Sequence, residues 1–229
     1  MIKSARSPAR PRRRSPREVP EDTRARILDA AERLFSERGV DAVSVRSVLE
    51  AAGVNVALAH YHFGSREGLI AELLRTRVAP LAEEQLRALD EVDARGGGAT
   101  LEDVLRAYVA PAARALATRP RVGRLLGQLA FSANPAIREL GRDVQRAAIR
   151  RLGEALMERL GAPIDPARLF YRLYMVIAIP SFFASWWDVV EQSARKRLPA
   201  PAPDAEAMAR EYVSFCAAGL RAASGGEER

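Results

Sequence analysis

One cysteine, Cys216, occurs in 229 residues, so no internal disulfide can form and a reducing compartment, the cytoplasm, is expected. Aromatic residues are only 6% of the chain, which weighs against a strand-rich fold. The most apolar stretch, 173–187, is 15 residues long and contains Pro180, short of the roughly 20 residues of a bilayer span. It reads as a buried helix, and no membrane partner is expected. The amino terminus has no apolar core behind its positive charges, so no secretory signal is expected. Common catalytic motifs are missing as well. There is no G-x-S-x-G elbow, no G-x-x-x-x-G-K-[ST] phosphate loop, no H-E-x-x-H and no paired-cysteine metal site. The chain therefore reads as a non-enzyme with no cofactor.

What remains is ordinary globular composition, 48% hydrophobic and 28% charged, with Ala, Leu, Arg and Glu throughout, which favours helices. The net charge of +7 is concentrated at one end. Residues 1–20 hold seven basic side chains and one acid, residues 21–77 hold eight and nine, and residues 78–229 hold 21 and 19. Residues 1–20 also carry four prolines and read as a disordered basic arm. Such an arm can contact DNA phosphate or the minor groove, or it can be a solvated tail.

From Glu21 onward the apolar spacing is helical. Ile27, Leu28, Ala31, Leu34 and Phe35 share one face before Gly39. Ser44 caps a short helix over about 45–52 that ends at Gly53, and Asn55 caps another reaching about residue 63. Ser65 opens a fourth helix towards Asp93, and a loop with Gly96, Gly97 and Gly98 follows. Thr100 with Asp103 marks an acidic capping box, opening a helix to about residue 117. Further helices are expected over about 122–132 and 135–160. Asp165–Pro166 signals the start of another, kinked at Pro180 and ending near Arg197, and a last one covers about 204–223. The expected fold is all-α.

The second and third helices have helix-turn-helix dimensions. Val54, Leu58, Ala59, His62 and Phe63 face inward at helical spacing, leaving Val56, Ala57, His60 and Tyr61 outside. Small outer side chains permit close approach to major-groove base edges. His60 and His62 are two apart, poor spacing for chelation from one helical face, and no metal is expected.

Residues 23–69, TRARILDAAERLFSERGVDAVSVRSVLEAAGVNVALAHYHFGSREGL, closely resemble the DNA-binding domain of the TetR family of bacterial repressors. The resemblance rests on Ile27-Leu28, Ala30-Ala31, Leu34-Phe35, Gly39, Ser44-Val45-Arg46, Ala51-Ala52-Gly53-Val54, Tyr61 through Phe63, and Ser65-Arg66-Glu67. It implies a three-helix DNA-binding domain over 21–67 and a larger helical ligand-binding and dimerisation domain over 68–229. A homodimer would bind a palindromic double-stranded operator and release it on binding a small molecule. By position, Ser44, Arg46, Tyr61 and Arg66 would contact phosphate, Val56, Ala57 and His60 would lie nearest the bases, and Asn55 would cap the reading helix and also reach phosphate. His60 stands where Tyr or Asn is usual, so base preference there cannot be copied from relatives.

Half of the chain's aromatic residues lie between Phe170 and Trp187, suiting a core, a dimer seam or an apolar pocket. The resemblance implies that the last two helices pair with their symmetry mates, with Leu173, Ile177, Trp187, Val213 and Leu220 at the seam. Pocket candidates are Tyr108, Leu125, Gln128, Leu129, Phe131, Tyr174 and Phe182, with Arg121 and Arg124 as cations for an acidic group. The stretch VNVALAHYHFGSREGLI and later segments resemble a branch with regulators responsive to fatty acids or acyl thioesters; an aromatic effector is the rival. A helical ligand-binding or scaffold protein with weak operator binding, or an activator, are the alternatives to a repressor.

Overall fold

The computed structural model describes residues 20–55, 63–160, 165–197 and 204–222, all as helices and short connections without a strand. α1 is Pro20–Arg38 and α2 is Val45–Ala52. The Ser44 side chain accepts the Ser47 N–H at 3.1 Å, giving α2 the expected cap. α2 ends at Gly53, whose φ of 65° is a left-handed value that a residue without Cβ adopts freely. Gly53 N–H reaches Glu50 O at 3.1 Å and Val54 N–H reaches Leu49 O at 3.0 Å, closing the terminus in the six-to-one pattern. Arg26 of α1 donates to the Ala52 carbonyl at 2.5 Å, pinning this end of α2 to α1.

α3, Arg66–Leu73, is capped by Ser65, which accepts from Gly68 N–H at 3.0 Å. It runs through a π-helical turn, Leu74–Val78, into α4, Ala79–Ala94. Pro80 explains the turn: it has no N–H for the Thr76 carbonyl, and Ala79 N–H bonds back to Leu74 O instead. α5, Leu101–Thr118, opens with the expected Thr100–Asp103 capping box. α6 is Pro120–Ala130, α7 Pro135–Leu160, α8 Pro166–Arg197 and α9 Ala205–Arg221.

The expected kink at Pro180 leaves α8 unbroken over its 32 residues. Pro180 removes the intrahelical donor of the Val176 carbonyl, and the Tyr212 hydroxyl of α9 donates to that oxygen at 2.9 Å. A buried neighbour thus replaces the missing bond.

Two apolar cores form. The first joins α1, α2 and α3 through Ile27, Phe35, Leu49, Leu69 and Leu73, but also takes Val122, Leu125 and Leu129 of α6 and Ile137 of α7. The second joins α4, α5, α7, α8 and α9 through Leu89, Leu105, Leu152, Val176, Val213 and Leu220. The packing unit around the first helices therefore extends past residue 67 and holds two later helices. No helix among the described residues is long and apolar enough to cross a membrane.

Candidate functional site

The reading side begins with Ser44 and Arg46 at the exposed start of α2. Ser44 Oγ serves as the cap and pairs with Ser47 Oγ at 2.8 Å. The Arg46 guanidinium meets Glu50 at 2.9 Å, one turn along, with both groups largely in solvent. That bond and the adjacent carboxylate raise the Arg46 pKa further, so it is cationic at every working pH. Asn55 is exposed where the description breaks off. Val56, Ala57, His60 and Tyr61 lie outside the described residues. Arg66 donates to the Val40 carbonyl at 2.5 Å, fastening the turn before α2 to the start of α3. It thus has an internal structural use beside the phosphate contact that the resemblance implies.

An open cavity of about 810 Å³ lies among α4, α5, α6, α7 and α8. Tyr108, Phe131 and Tyr174 line it as expected. Tyr108 is buried, and burial pushes its phenol well above the ordinary tyrosine range. Phe131 and Tyr174 are exposed at the rim. The other four candidates lie elsewhere. Leu125 and Leu129 point into the first core, because α6 turns its strongest apolar face to α1. Gln128 sits against Gly39, whose added Cβ would meet Gln128 Oε1 at 3.2 Å. Phe182 stacks on Trp186 on the outer face of α8, 5.9 Å between ring centres.

Sequence reading missed the polar lining. Gln85 of α4 and Arg138, Glu139, Arg142, Arg146 and Arg150 of α7 all face the cavity, whereas Arg121 and Arg124 do not line it. A signal was available: Arg138, Arg142, Arg146 and Arg150 recur every four residues, and Gln85 occupies an apolar position of α4 among Leu81, Leu89 and Val92.

Between cavity and reading side is a clasp. Asp41, in the turn before α2, accepts from Ser132 Oγ and from Ala133 N–H, each at 2.7 Å. Arg138 donates to the Ser132 carbonyl at 2.6 Å and to the Ala133 carbonyl at 3.1 Å. The Ser132 hydroxyl, then the Ala133 N–H, hold the Asp41 carboxyl below its usual range, with Arg66 and Arg138 adding to the effect. A second link crosses the π-turn, where Arg77 pairs with Asp29 at 2.5 Å and with Glu32 at 3.0 Å on α1.

The seam candidates also divide. Val213 and Leu220 are buried in the second core of their own chain, because α9 lays that face on α5. Leu173 and Ile177 are partly buried against the same core. The Trp187 side chain lies outside the description. Exposed apolar side chains run along α8, among them Phe170, Tyr171, Met175, Phe182, Trp186 and Val189, with Phe215 on α9.

Comparison with known proteins gives one family twice. Residues 27–73 match the model described as bacterial regulatory proteins, tetR family, and residues 106–219 match a tetracycline repressor-like C-terminal domain. The transcriptional regulator BetI of Rhizobium meliloti is 35% identical over 66 residues, 29% of this chain and 32% of that protein. The match thus spans about a third of BetI's length. The regulator AcrR of Shigella flexneri is 28% identical over 170 residues, 72% of this chain and 76% of its own. Among solved structures, the transcriptional regulator FadR of Bacillus subtilis in complex with stearoyl-CoA superposes with a TM-score of 0.61. It is 16% identical, over 85% of this chain and 98% of that one, a likeness of fold.

Proposed function

We propose, from the premise that this chain belongs to the TetR family of bacterial regulatory proteins, that it represses transcription from a cytoplasmic location. It binds an inverted-repeat operator as a homodimer and leaves it when a largely apolar effector fills the cavity. It performs no catalysis. Ser44 and Arg46 contact phosphate, and the segment carrying Val56, Ala57, His60 and Tyr61 reads the major groove. The exposed apolar row from Tyr171 to Val189, with Phe215, pairs with its equivalent on a second copy.

The observation that carries this reading is the clasp. Arg138 lines the cavity and holds the carbonyls of the two residues whose hydroxyl and N–H hold Asp41 beside α2. An effector that displaces Arg138 thereby alters the seating of α2. Release of DNA requires that the effector bind the displaced arrangement more tightly than the DNA-bound one.

The test is a titration of the purified chain into a duplex carrying an inverted repeat recovered from its genome. Saturation at two chains, or a multiple of two, per repeat is expected. Arg138→Ala should mimic the displaced arrangement, binding the repeat more weakly without effector and showing little further release when effector is added. One chain per repeat would overturn the dimeric reading, and unchanged release in Arg138→Ala would overturn the clasp.

A further inference from the structure

The cavity that the proposed function gives to the effector is polar in two separate places, and the inference drawn from them rests on that reading. Gln85 is 3% exposed and lines the cavity. Its amide nitrogen donates to the Tyr108 carbonyl at 2.8 Å. A carbonyl can only accept, so this bond fixes which end of the amide is nitrogen and leaves Oε1 as the free end. Among the described residues no donor reaches Gln85 Oε1, although it is buried. An acceptor closed off from water in an apolar wall and left without a donor is costly, and a donor brought by a ligand would relieve that cost.

The second place is the rim along α7. Arg142, Arg146 and Arg150 follow at four-residue intervals with largely exposed side chains, and Arg138 precedes them. The acids there are Glu139, paired with Arg142 and Arg146, Asp143, paired with Arg146, and Glu154, 3.6 Å from Arg150. Of these acids only Glu139 lines the cavity, so its lining carries four cations and one anion. Between the two places the wall is apolar, with Leu81, Val109, Leu116 and Ile177.

We propose that the effector is an amphipathic anion bearing a hydrogen-bond donor on its apolar body, of the hydroxylated long-chain carboxylate class. Its hydroxyl donates to Gln85 Oε1, its hydrocarbon part fills the wall between α4, α5 and α8, and its carboxylate lies against Arg142 and Arg146. An unsubstituted chain would fill the same volume and leave the Gln85 oxygen without a partner. Discrimination by the buried amide is therefore at least about tenfold.

Calorimetric titration of the full chain with ω-hydroxy acids from octanoate to hexadecanoate, beside the matching unsubstituted acids and ω-hydroxy methyl esters, tests this without any variant. The best hydroxy acid should bind about tenfold or more tightly than its unsubstituted partner and than its methyl ester. Gln85→Leu should remove the first preference and an Arg142→Gln, Arg146→Gln pair the second. Equal affinity of hydroxy and unsubstituted acids at every length would overturn the role of Gln85. Equal affinity of acid and ester would overturn the role of the arginines, and no binding anywhere in the series would overturn the class. The cavity reading is separated by the neutral dye N-phenyl-1-naphthylamine. Its fluorescence should rise with the wild-type chain and not with Ala112→Trp, which fills the cavity. An equal rise with both would overturn the cavity reading itself.

Discussion

Asp41 and Ser132 are 91 positions apart and joined by a 2.7 Å hydrogen bond, one in the turn before α2 and the other between α6 and α7. Ser132 is buried, so Asp41→Ala leaves its hydroxyl without the acceptor it serves. The expected loss is about 1–2 kcal/mol, read by urea unfolding. Ser132→Ala should cost a similar amount, and the double variant less than the sum by about 1 kcal/mol. The same bonds depress the Asp41 pKa. Their stabilisation is complete above the unfolded carboxyl value of about 3.9 and is lost as pH falls through the lower folded value. The stability gap between wild type and Asp41→Asn should hold from neutral pH to about 5 and close in stronger acid. A gap that widens in acid would contradict the assignment.

At the reading side, Arg46→Ala should weaken DNA binding on all sequences alike and reduce the slope of log K against log salt by about one. Its pair with Glu50 is exposed and screened by solvent, so thermal stability should barely change. Ser44→Ala should also weaken DNA binding, and differs in losing about 1 kcal/mol of stability with the missing cap. Thermal melts beside anisotropy titrations at several salt concentrations separate the two.

Self-association and folding should respond to different faces of α8 and α9. Phe182→Asp places a charge in the exposed apolar row and should shift the chain towards monomer in light scattering after size exclusion, with a near-normal helical spectrum. Val213→Ala removes volume from the second core and should cost about 2 kcal/mol. The dimer constant should not follow that loss.

Tyr212→Phe keeps the ring but strands the Val176 carbonyl that Pro180 has already deprived of its helical donor. It should cost about 1–2 kcal/mol. One turn along α9, burial pushes the Cys216 thiol up to about 11, partly offset by the Tyr212 hydroxyl. The folded chain should therefore react with iodoacetamide at mildly alkaline pH on the order of a hundredfold more slowly than the unfolded chain. Equal rates would contradict the burial.

Features fixed by neighbours in sequence were legible before the structure. The Ser44 cap, the Gly53 stop and the Thr100–Asp103 box depend on residues at most five positions apart, and each stands where the sequence placed it. What a helix faces is set by distant chain. The apolar stripe of α6 is plain in Val122, Leu125 and Leu129, yet nothing local says that it serves the first core rather than the cavity. The resemblance likewise puts Val213 and Leu220 at a seam, while the side chains left outside, such as Phe215, follow only once α9 is laid on α5. The Asp41–Ser132 clasp has no sequence signature, since two short polar side chains far apart carry no pattern. The arginine interval on α7 did carry one.

The central claim is sequence-specific operator binding, and selection of genomic fragments by the purified protein at defined salt tests it most directly. The account predicts enrichment of one inverted repeat whose half-sites face successive major grooves, upstream of the chain's own gene or a neighbouring one. Recovery of no motif above background by the folded protein would contradict it.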